Sequence, residues 1–258
     1  MKNSERQKTM FEFISLHREQ SVETLAAELK VSVTTVRRDL AAMARRGLIE
    51  RTWGGANVAV PVVYDAQEFE DDAAKRAIAV AAARHVQPGM VVAISGGSTC
   101  TELARLLRGR AIKVLTNAVN IALELRSSGH TQVVLSGGVL NAASYELVGP
   151  MVERSLSDFR ADIAFAGCSG VLPGFGFSMR DEPEAGAARA ITRLTGRVVV
   201  LADHRKVGRQ TFARFAHFSE VERLISDHSL SASWQTQLAQ LGLNVELGDA
   251  PPAPAVRS

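Results

Sequence analysis

Residues 32–56 read SVTTVRRDLAAMARRGLIERTWGGA, and this stretch decides how the first part of the chain folds. At 100° per residue, Val36, Leu40 and Met43 fall within about 60° of one another with Val33 beside them, a stripe that predicts a helix. Ser32 is a good N-cap and Gly47 a stop, so the helix is expected from Ser32 to about Arg46. Opposite the stripe lie Thr34, Thr35, Arg38, Ala41, Ala42 and Arg45. Arg37 sits on one flank, with Asp39 and Arg46 on the other. Short hydroxyls, small alanines and a long cation give the relief that lets a helix approach a DNA major groove, where Arg reaches a guanine edge or a phosphate. A helix made only to be solvated more often carries Glu/Lys pairs than two threonines, which are poor helix formers. A solvated or protein-docking face is the alternative reading. Asp39 would repel phosphate, so it is assigned to holding a nearby arginine or the preceding turn.

Working outward, SVETLAAELK (21–30) opens on Ser21 and carries Leu25, Ala26 and Leu29 on one face, and SERQKTMFEFISLHRE (4–19) carries Met10, Phe13 and Ile14. Only Lys30 and Val31 separate the second helix from the third cap, which predicts a tight helix-turn-helix. LIERTWGGANVAV (48–60) follows, two alternating runs around Gly54-Gly55 with the turn chemistry of a two-residue hairpin. Residues 1–57 are therefore expected to form a winged helix-turn-helix. Arg51 is placed to reach a flanking phosphate or minor groove, and Trp53 to pack the wing onto the helices.

The distribution of charge agrees with this. The 258-residue chain has a formal net charge of +3, and the first 57 residues hold all of that excess. Between Lys30 and Arg51, six basic residues face two acidic ones. A basic end on a neutral body fits nucleic-acid contact by that end. A hydrophobic content of 46% with 22% charged residues fits a globular protein with a sizeable core. The sequence shows neither a membrane span nor a secretory signal, and Cys100 and Cys168 are too far apart for a CxxC motif. Buried thiols in a reducing cytoplasm are expected.

Residues 58–72 contain a proline, end in an acidic cluster and read as a linker. From Ala73 to about residue 235, short apolar runs (MVVAISGGST, IKVLTN, TQVVLSGG, DIAFAGCSG, RVVVLADHRK and a weaker RLISD) alternate with helical stretches such as CTELARLLRG. This order predicts a mainly parallel α/β sheet covered on both faces. The tail 248–258, GDAPPAPAVRS, has a disordered composition.

Strand VVAIS runs straight into Gly96-Gly97-Ser98-Thr99 and a helix. Glycines let backbone N–H groups approach an anion, hydroxyls add donors, and a helix N-terminus adds partial positive charge. One such loop also serves as a plain turn. Ser95 closes that strand and is counted with its loop. Thr116-Asn117, Gly137-Gly138 and Gly167-Cys168-Ser169-Gly170 stand at further strand ends, and ligands in open α/β sheets bind at carboxyl ends of strands, so these loops are expected to converge on one pocket. Lys206 offers a point charge for a phosphate and Glu184 an acceptor for sugar hydroxyls, or an ordinary first-turn carboxylate.

The stretch SVTTVRRDLAAMARRGLIERTWGGA resembles the DeoR family of bacterial transcriptional regulators, whose signature is Ser/Thr-x-x-Thr-hydrophobic-Arg-Arg-Asp-Leu followed by a Gly-Gly wing; Trp53 departs from the histidine common before that pair. Residues 73–230 resemble the family's sensor domain, similar in fold to ribose-5-phosphate isomerase. The matching positions are Gly97-Ser98-Thr99, Thr116-Asn117, Gly137-Gly138, Gly149-Pro150, Glu184-Ala185 and Asp203-x-x-Lys206-x-Gly208. Ser95 departs from a frequent acidic residue and Ala188 from a common lysine. The resemblance implies a repressor of a carbohydrate operon that binds operator DNA as a dimer or tetramer and is released by a phosphorylated sugar. The rival reading is a sugar-phosphate isomerase fused to a DNA-binding domain. Its base would be an acidic residue at the GCSG strand end, which has none, although Asp181, Glu182 and Glu184 lie downstream. No histidine or cysteine spacing points to a metal, and no cofactor is implied.

Overall fold

The computed structural model describes residues 3–17, 20–45, 49–52, 55–58, 73–126 and 130–249. The chain divides into two compact units, Met1–Asp72 and Ala73–Ser258. The linker reading at 59–72 and the tail from 250 onward lie outside the described residues, as do Arg46, Gly47 and Trp53.

The first unit holds α1 (Asn3–His17), β1 (Gln20–Ser21), α2 (Val22–Leu29), α3 (Val33–Arg45), β2 (Ile49–Thr52) and β3 (Gly55–Val58). Its core gathers Met10 and Ile14 from α1, Leu25 and Leu29 from α2, and Val36, Leu40 and Met43 from α3. Both later helices start with the same device. The Ser21 hydroxyl accepts from the Thr24 N–H at 3.0 Å, and the Ser32 hydroxyl accepts from the Thr35 N–H at 3.2 Å. Each pair of hydroxyls also meets at 2.9 Å, so Thr35 spends part of its polarity on its own cap. The turn between α2 and α3 depends on Lys30, which adopts a left-handed conformation (φ 52°, ψ 44°) while its N–H and that of Val31 close onto Ala27 and Ala26.

Asp39 is buried and holds an arginine, one of the two roles expected of it from its repulsion of phosphate. The Arg6 Nε of α1 donates to Asp39 Oδ2 at 2.6 Å, and the Gln7 amide donates to Oδ1 at 3.5 Å. The partner comes from a helix 33 residues away rather than from the neighbouring turn. The wing differs from the expected turn by one residue. Thr52 pairs with Gly55, so Gly55 belongs to β3. The third strand of this sheet, β1, explains Gly55: a Cβ there would lie 2.2 Å from the Gln20 carbonyl oxygen.

The second unit is built on seven parallel strands in the order β15-β14-β12-β9-β4-β5-β6. These are β4 (Val91–Ile94), β5 (Lys113–Thr116), β6 (Gln132–Leu135), β9 (Ile163–Gly167), β12 (Val198–Leu201), β14 (Arg223–Ser226) and β15 (Asn244–Leu247). One face packs on α4 (Ala73–Ala83), α5 (Ser98–Leu107) and α6 (Val119–Leu125) through residues such as Ile78, Leu103, Ile121, Val92 and Phe165. Under the other face lie α7 (Pro150–Leu156), α8 (Glu182–Thr192) and α9 (Ala232–Gln240). Val198, Val199, Val200 and Leu201 alternate between the two cores, which is why these strands read as unbroken apolar runs. Two hairpins complete the unit: β7 (Val139–Asn141) with β8 (Glu146–Val148), and β10 (Gly170–Leu172) with β11 (Gly176–Met179), the latter extended by β13 (Ala213–Ala216).

The weak run RLISD forms β14, an interior strand. The domain also continues past residue 235, where the sequence pattern fades, because β15 is the edge strand of the sheet and α9 packs into the core beneath it. Two residues assigned to the tail are held: the Gly248 N–H donates to the Ser226 carbonyl at 2.7 Å, and Asp249 meets Arg84 at 2.5 Å.

Two predictions follow from the first unit. Lys30→Gly relieves the left-handed strain of about 1–2 kcal/mol, partly offset by chain entropy, and so raises its stability in urea unfolding by up to about 1 kcal/mol. Asp39→Ala and Arg6→Ala each destabilise it in urea unfolding by about 3 kcal/mol, because each removes one half of a buried ion pair, whereas the double variant costs less than the sum.

Candidate functional site

The sheet order sets where a ligand can enter. After β4 the chain proceeds to β5 and β6 on one side, and β9 then lies on the other side of β4. The ends of β4 and β9 therefore flank a topological switch point, the position at which open α/β sheets hold their ligand crevice. Gly97 stands at this point with φ 113°, just before α5. A Cβ on Gly97 would lie 3.9 Å from the Gly167 Cα, and one on Gly167 would lie 3.0 Å from the Gly96 oxygen. The Ser95 hydroxyl, fully buried, accepts from the Gly167 N–H at 3.2 Å and ties the two strand ends together. Ser95 thus acts as a brace inside the fold.

Around this crevice lie the other residues singled out from the sequence. Ser98 opens α5, and Thr99 is buried with its hydroxyl lacking a hydrogen-bond partner among the described residues. The Thr116 hydroxyl accepts from the Ala118 N–H and shapes its own loop. Asn117, fully buried, donates through Nδ2 to Glu146 Oε2 at 3.0 Å and to the Leu147 carbonyl at 3.1 Å, leaving its Oδ1 without a partner among the described residues. Lys206 is half-buried, and its charge acts on Cys100, Cys168 and Asp203. Although burial pushes the Asp203 carboxyl up, the Arg205 guanidinium and Lys206 ammonium hold it below the usual carboxylate range. Glu184, in the first turn of α8, accepts from Asn141 at 3.3 Å. Gly137 and Gly138 serve the neighbouring hairpin instead: the Gly137 N–H donates to Ser155, and Gly138 (φ 147°) packs where a Cβ would meet Leu147 and Val148 at 3.0 Å.

Glu146 was not among the expected site residues. It sits on β8 with 4% of its surface exposed, its carboxyl lying against Gly96. Burial pushes its pKa up to about 7; the Asn117 amide and the Gly96 N–H work against this, while the charges of Glu184 and Asp181 add to it. Burial, with Asp181, also raises Glu184. The only sequence signal for Glu146 is a carboxylate at an inward position of the short run YELVG. Burial pushes the thiols of Cys100 and Cys168 to about 12 and about 11, so both stay protonated and free. Among the described residues no group of three or more His, Cys, Asp or Glu is placed to hold a metal ion, and no described helix is long and apolar enough to cross a membrane.

In the first unit, Thr34, Arg37 and Arg38 are exposed on α3, and Thr35 is half-exposed beside its cap. Arg45 ends α3 and Arg51 lies in β2, with side chains outside the described set.

The raised Glu146 carboxyl has a measurable consequence. The folded chain holds this proton more tightly than the unfolded chain, whose glutamates titrate near ~4.3, so stability falls as pH rises from there to about 7 and is level above. Glu146→Gln removes that loss. Differential scanning calorimetry should show the variant melting above wild type at pH 8, with the difference closing near pH 4.5; an equal difference at both pH values contradicts the assignment.

Comparison with known proteins agrees with this architecture. A family model described as "DeoR-like helix-turn-helix domain" matches residues 6–61, and one described as "DeoR C terminal sensor domain" matches residues 70–228. The HTH-type transcriptional regulator GlpR of Haloferax volcanii is 33% identical over 96% of this chain and 98% of its own. The glycerol-3-phosphate regulon repressor of Escherichia coli K12 is 27% identical over 96% of this chain and its whole length, and a putative aga operon transcriptional repressor of Escherichia coli O157:H7 is 28% identical over 95% and 93%. Among solved structures, ribose 5-phosphate isomerase A of Methanocaldococcus jannaschii covers 52% of this chain and 53% of its own at 20% identity, with a TM-score of 0.36. With both units matched and a relative at 33% identity along nearly its whole length, the chain belongs to the DeoR family of helix-turn-helix transcriptional regulators.

Proposed function

We propose that the chain represses a carbohydrate or polyol operon and leaves its operator when a phosphorylated sugar or polyol binds the second unit. The observation that carries the ligand reading is the crevice between β4 and β9. There, the N-terminus of α5, two glycines in close backbone approach and the unpartnered buried oxygens of Thr99 and Asn117 lie at one switch point. In this reading the N–H groups of Gly97, Ser98 and Thr99 cradle the phosphate, Lys206 adds a point charge, and Asn117 with Glu184 meets the hydroxyl end. The relatives named for glycerol-3-phosphate and aga regulons support the ligand class.

On the DNA side, the exposed Thr34 and Arg38 face base edges and Arg37 a flanking phosphate, with Thr35, Arg45 and Arg51 extending the footprint. One module of this size buries too little surface for typical operator affinity, so two or more copies act together. Ligand binding shifts the population between DNA-competent and DNA-incompetent arrangements, and a coupling of about 1–3 kcal/mol gives roughly 5- to 150-fold control.

Two measurements test this. Arg38→Ala weakens binding to the cognate operator roughly tenfold or more at physiological salt, with thermal stability unchanged; equal affinity refutes the groove-facing assignment. In a thermal-shift panel of phosphorylated sugars and polyols on the full chain, a ligand that raises the wild-type melting point should also lower operator affinity. It should fail to stabilise Gly97→Val, whose side chain cannot adopt the loop's backbone. A hit that leaves operator affinity untouched refutes the switch.

A further inference from the structure

The cradle contains a carboxyl group that cannot step aside. A Cβ on Gly96 would lie 2.2 Å from the Glu146 Cδ and 2.3 Å from its Oε1, so the carboxyl fills the space over that glycine. Backbone bonds on both sides fix its position: the Leu147 N–H donates to the Asn117 carbonyl at 2.7 Å, and the Val119 N–H donates to the Tyr145 carbonyl at 2.9 Å. Tyr145 precedes it with φ 57°, a left-handed conformation that a bulky side chain adopts only under constraint from its surroundings. The strand, its hairpin and the loop after β5 therefore aim this one carboxyl at the mouth of the glycine loop.

Its charged surroundings are mainly acidic. Asp181 and Glu184 face it from the start of α8, Cys100 from α5 carries no charge, and Lys206 and Arg180 act on Cys100 and Glu184 respectively. A phosphate seated on Gly97, Ser98 and Thr99 brings two more negative charges next to a fixed, buried carboxylate. Like charges a few ångströms apart in a low-dielectric site do not both persist, and the proton goes to the group already poised to take it. As a neutral acid, Glu146 stops repelling the phosphate and offers an O–H donor to it.

We propose that Glu146 is a specificity-determining residue of this site, one that accepts a phosphorylated ligand only as the neutral acid, so that binding draws a proton from solvent onto its carboxylate. The proposal rests on reading the Gly96–Thr99 loop as the phosphate cradle. It makes the regulator's sensitivity to its ligand depend on pH on the alkaline side of neutrality, where the phosphate itself is already dianionic. The raised affinity of the folded protein for this proton agrees with the geometry.

The test is isothermal titration of the full chain with glycerol 3-phosphate and with inorganic phosphate, from pH 6.5 to 8.5, in pairs of buffers with different ionisation enthalpies. The expected result at pH 8 is uptake approaching one proton per ligand and an affinity that falls about tenfold per pH unit. Glu146→Gln should show no uptake, a flat pH profile and tighter binding than wild type at pH 8.5. Equal uptake by wild type and variant would place the proton on the phosphate, and no uptake by wild type would show that Glu146 meets the ligand charged; either overturns the proposal while leaving the cradle in place. Failure of both probes to bind either protein at any pH would overturn the cradle reading and this proposal with it. The wild-type proton count needs no variant, so it remains decisive if the substituted chain fails to fold.

Discussion

The second unit depends on one contact, the backbone-to-backbone approach of the ends of β4 and β9. No side chain separates Gly97 from Gly167, and the Ser95 hydroxyl bonds across the gap. Because β4 is followed by β5 on one side while β9 borders it on the other, this junction is where the strand order reverses. A Cβ at position 167 would meet the Gly96 oxygen at 3.0 Å, so a larger residue there requires the β4 end to give by a few tenths of an ångström. The crevice is thus a product of sheet topology, and the polar residues around it are secondary to it.

Two of the buried carboxylates, Asp39 and Glu146, are treated in opposite ways. Asp39 in α3 is answered by Arg6, whose guanidinium is held firmly in its charged form by that hydrogen bond. Glu146 is instead met by the amide of Asn117 and the N–H of Gly96, with the charges of Glu184 and Asp181 acting on it. The first arrangement fixes a helix, and the second stores an electrostatic cost at the place where a ligand is expected. Natural sequences tolerate such a cost where function returns it.

Much of this was legible in the sequence wherever a feature was local and periodic. The stripe of Val36, Leu40 and Met43, the strand runs and the glycine loop after Ile94 each announce themselves within ten residues. Features that depend on distant pairing did not. β15 reads NVEL, too short and polar to stand out, and is a strand only because β14 lies beside it. Gly55 reads as a turn residue and is a strand residue, because Ser21 pairs with it on one side and Thr52 on the other. Glu146 was missed for the same reason: its importance comes from Gly96 and Asn117, each about thirty or more positions away in the chain. Ala188, a departure from the family pattern, is fully buried against the sheet.

The clamp between Arg6 and Asp39 also bears on how such a regulator diversifies. It holds α3 from within, so the solvent side of that helix, Thr34, Arg37 and Arg38, contributes nothing to the interior that secures it. Those positions form an alphabet that can be rewritten letter by letter on an unchanged frame. On the proposed reading of these residues, a lineage that duplicates this chain changes what the helix contacts while the clamp that holds it stays in place.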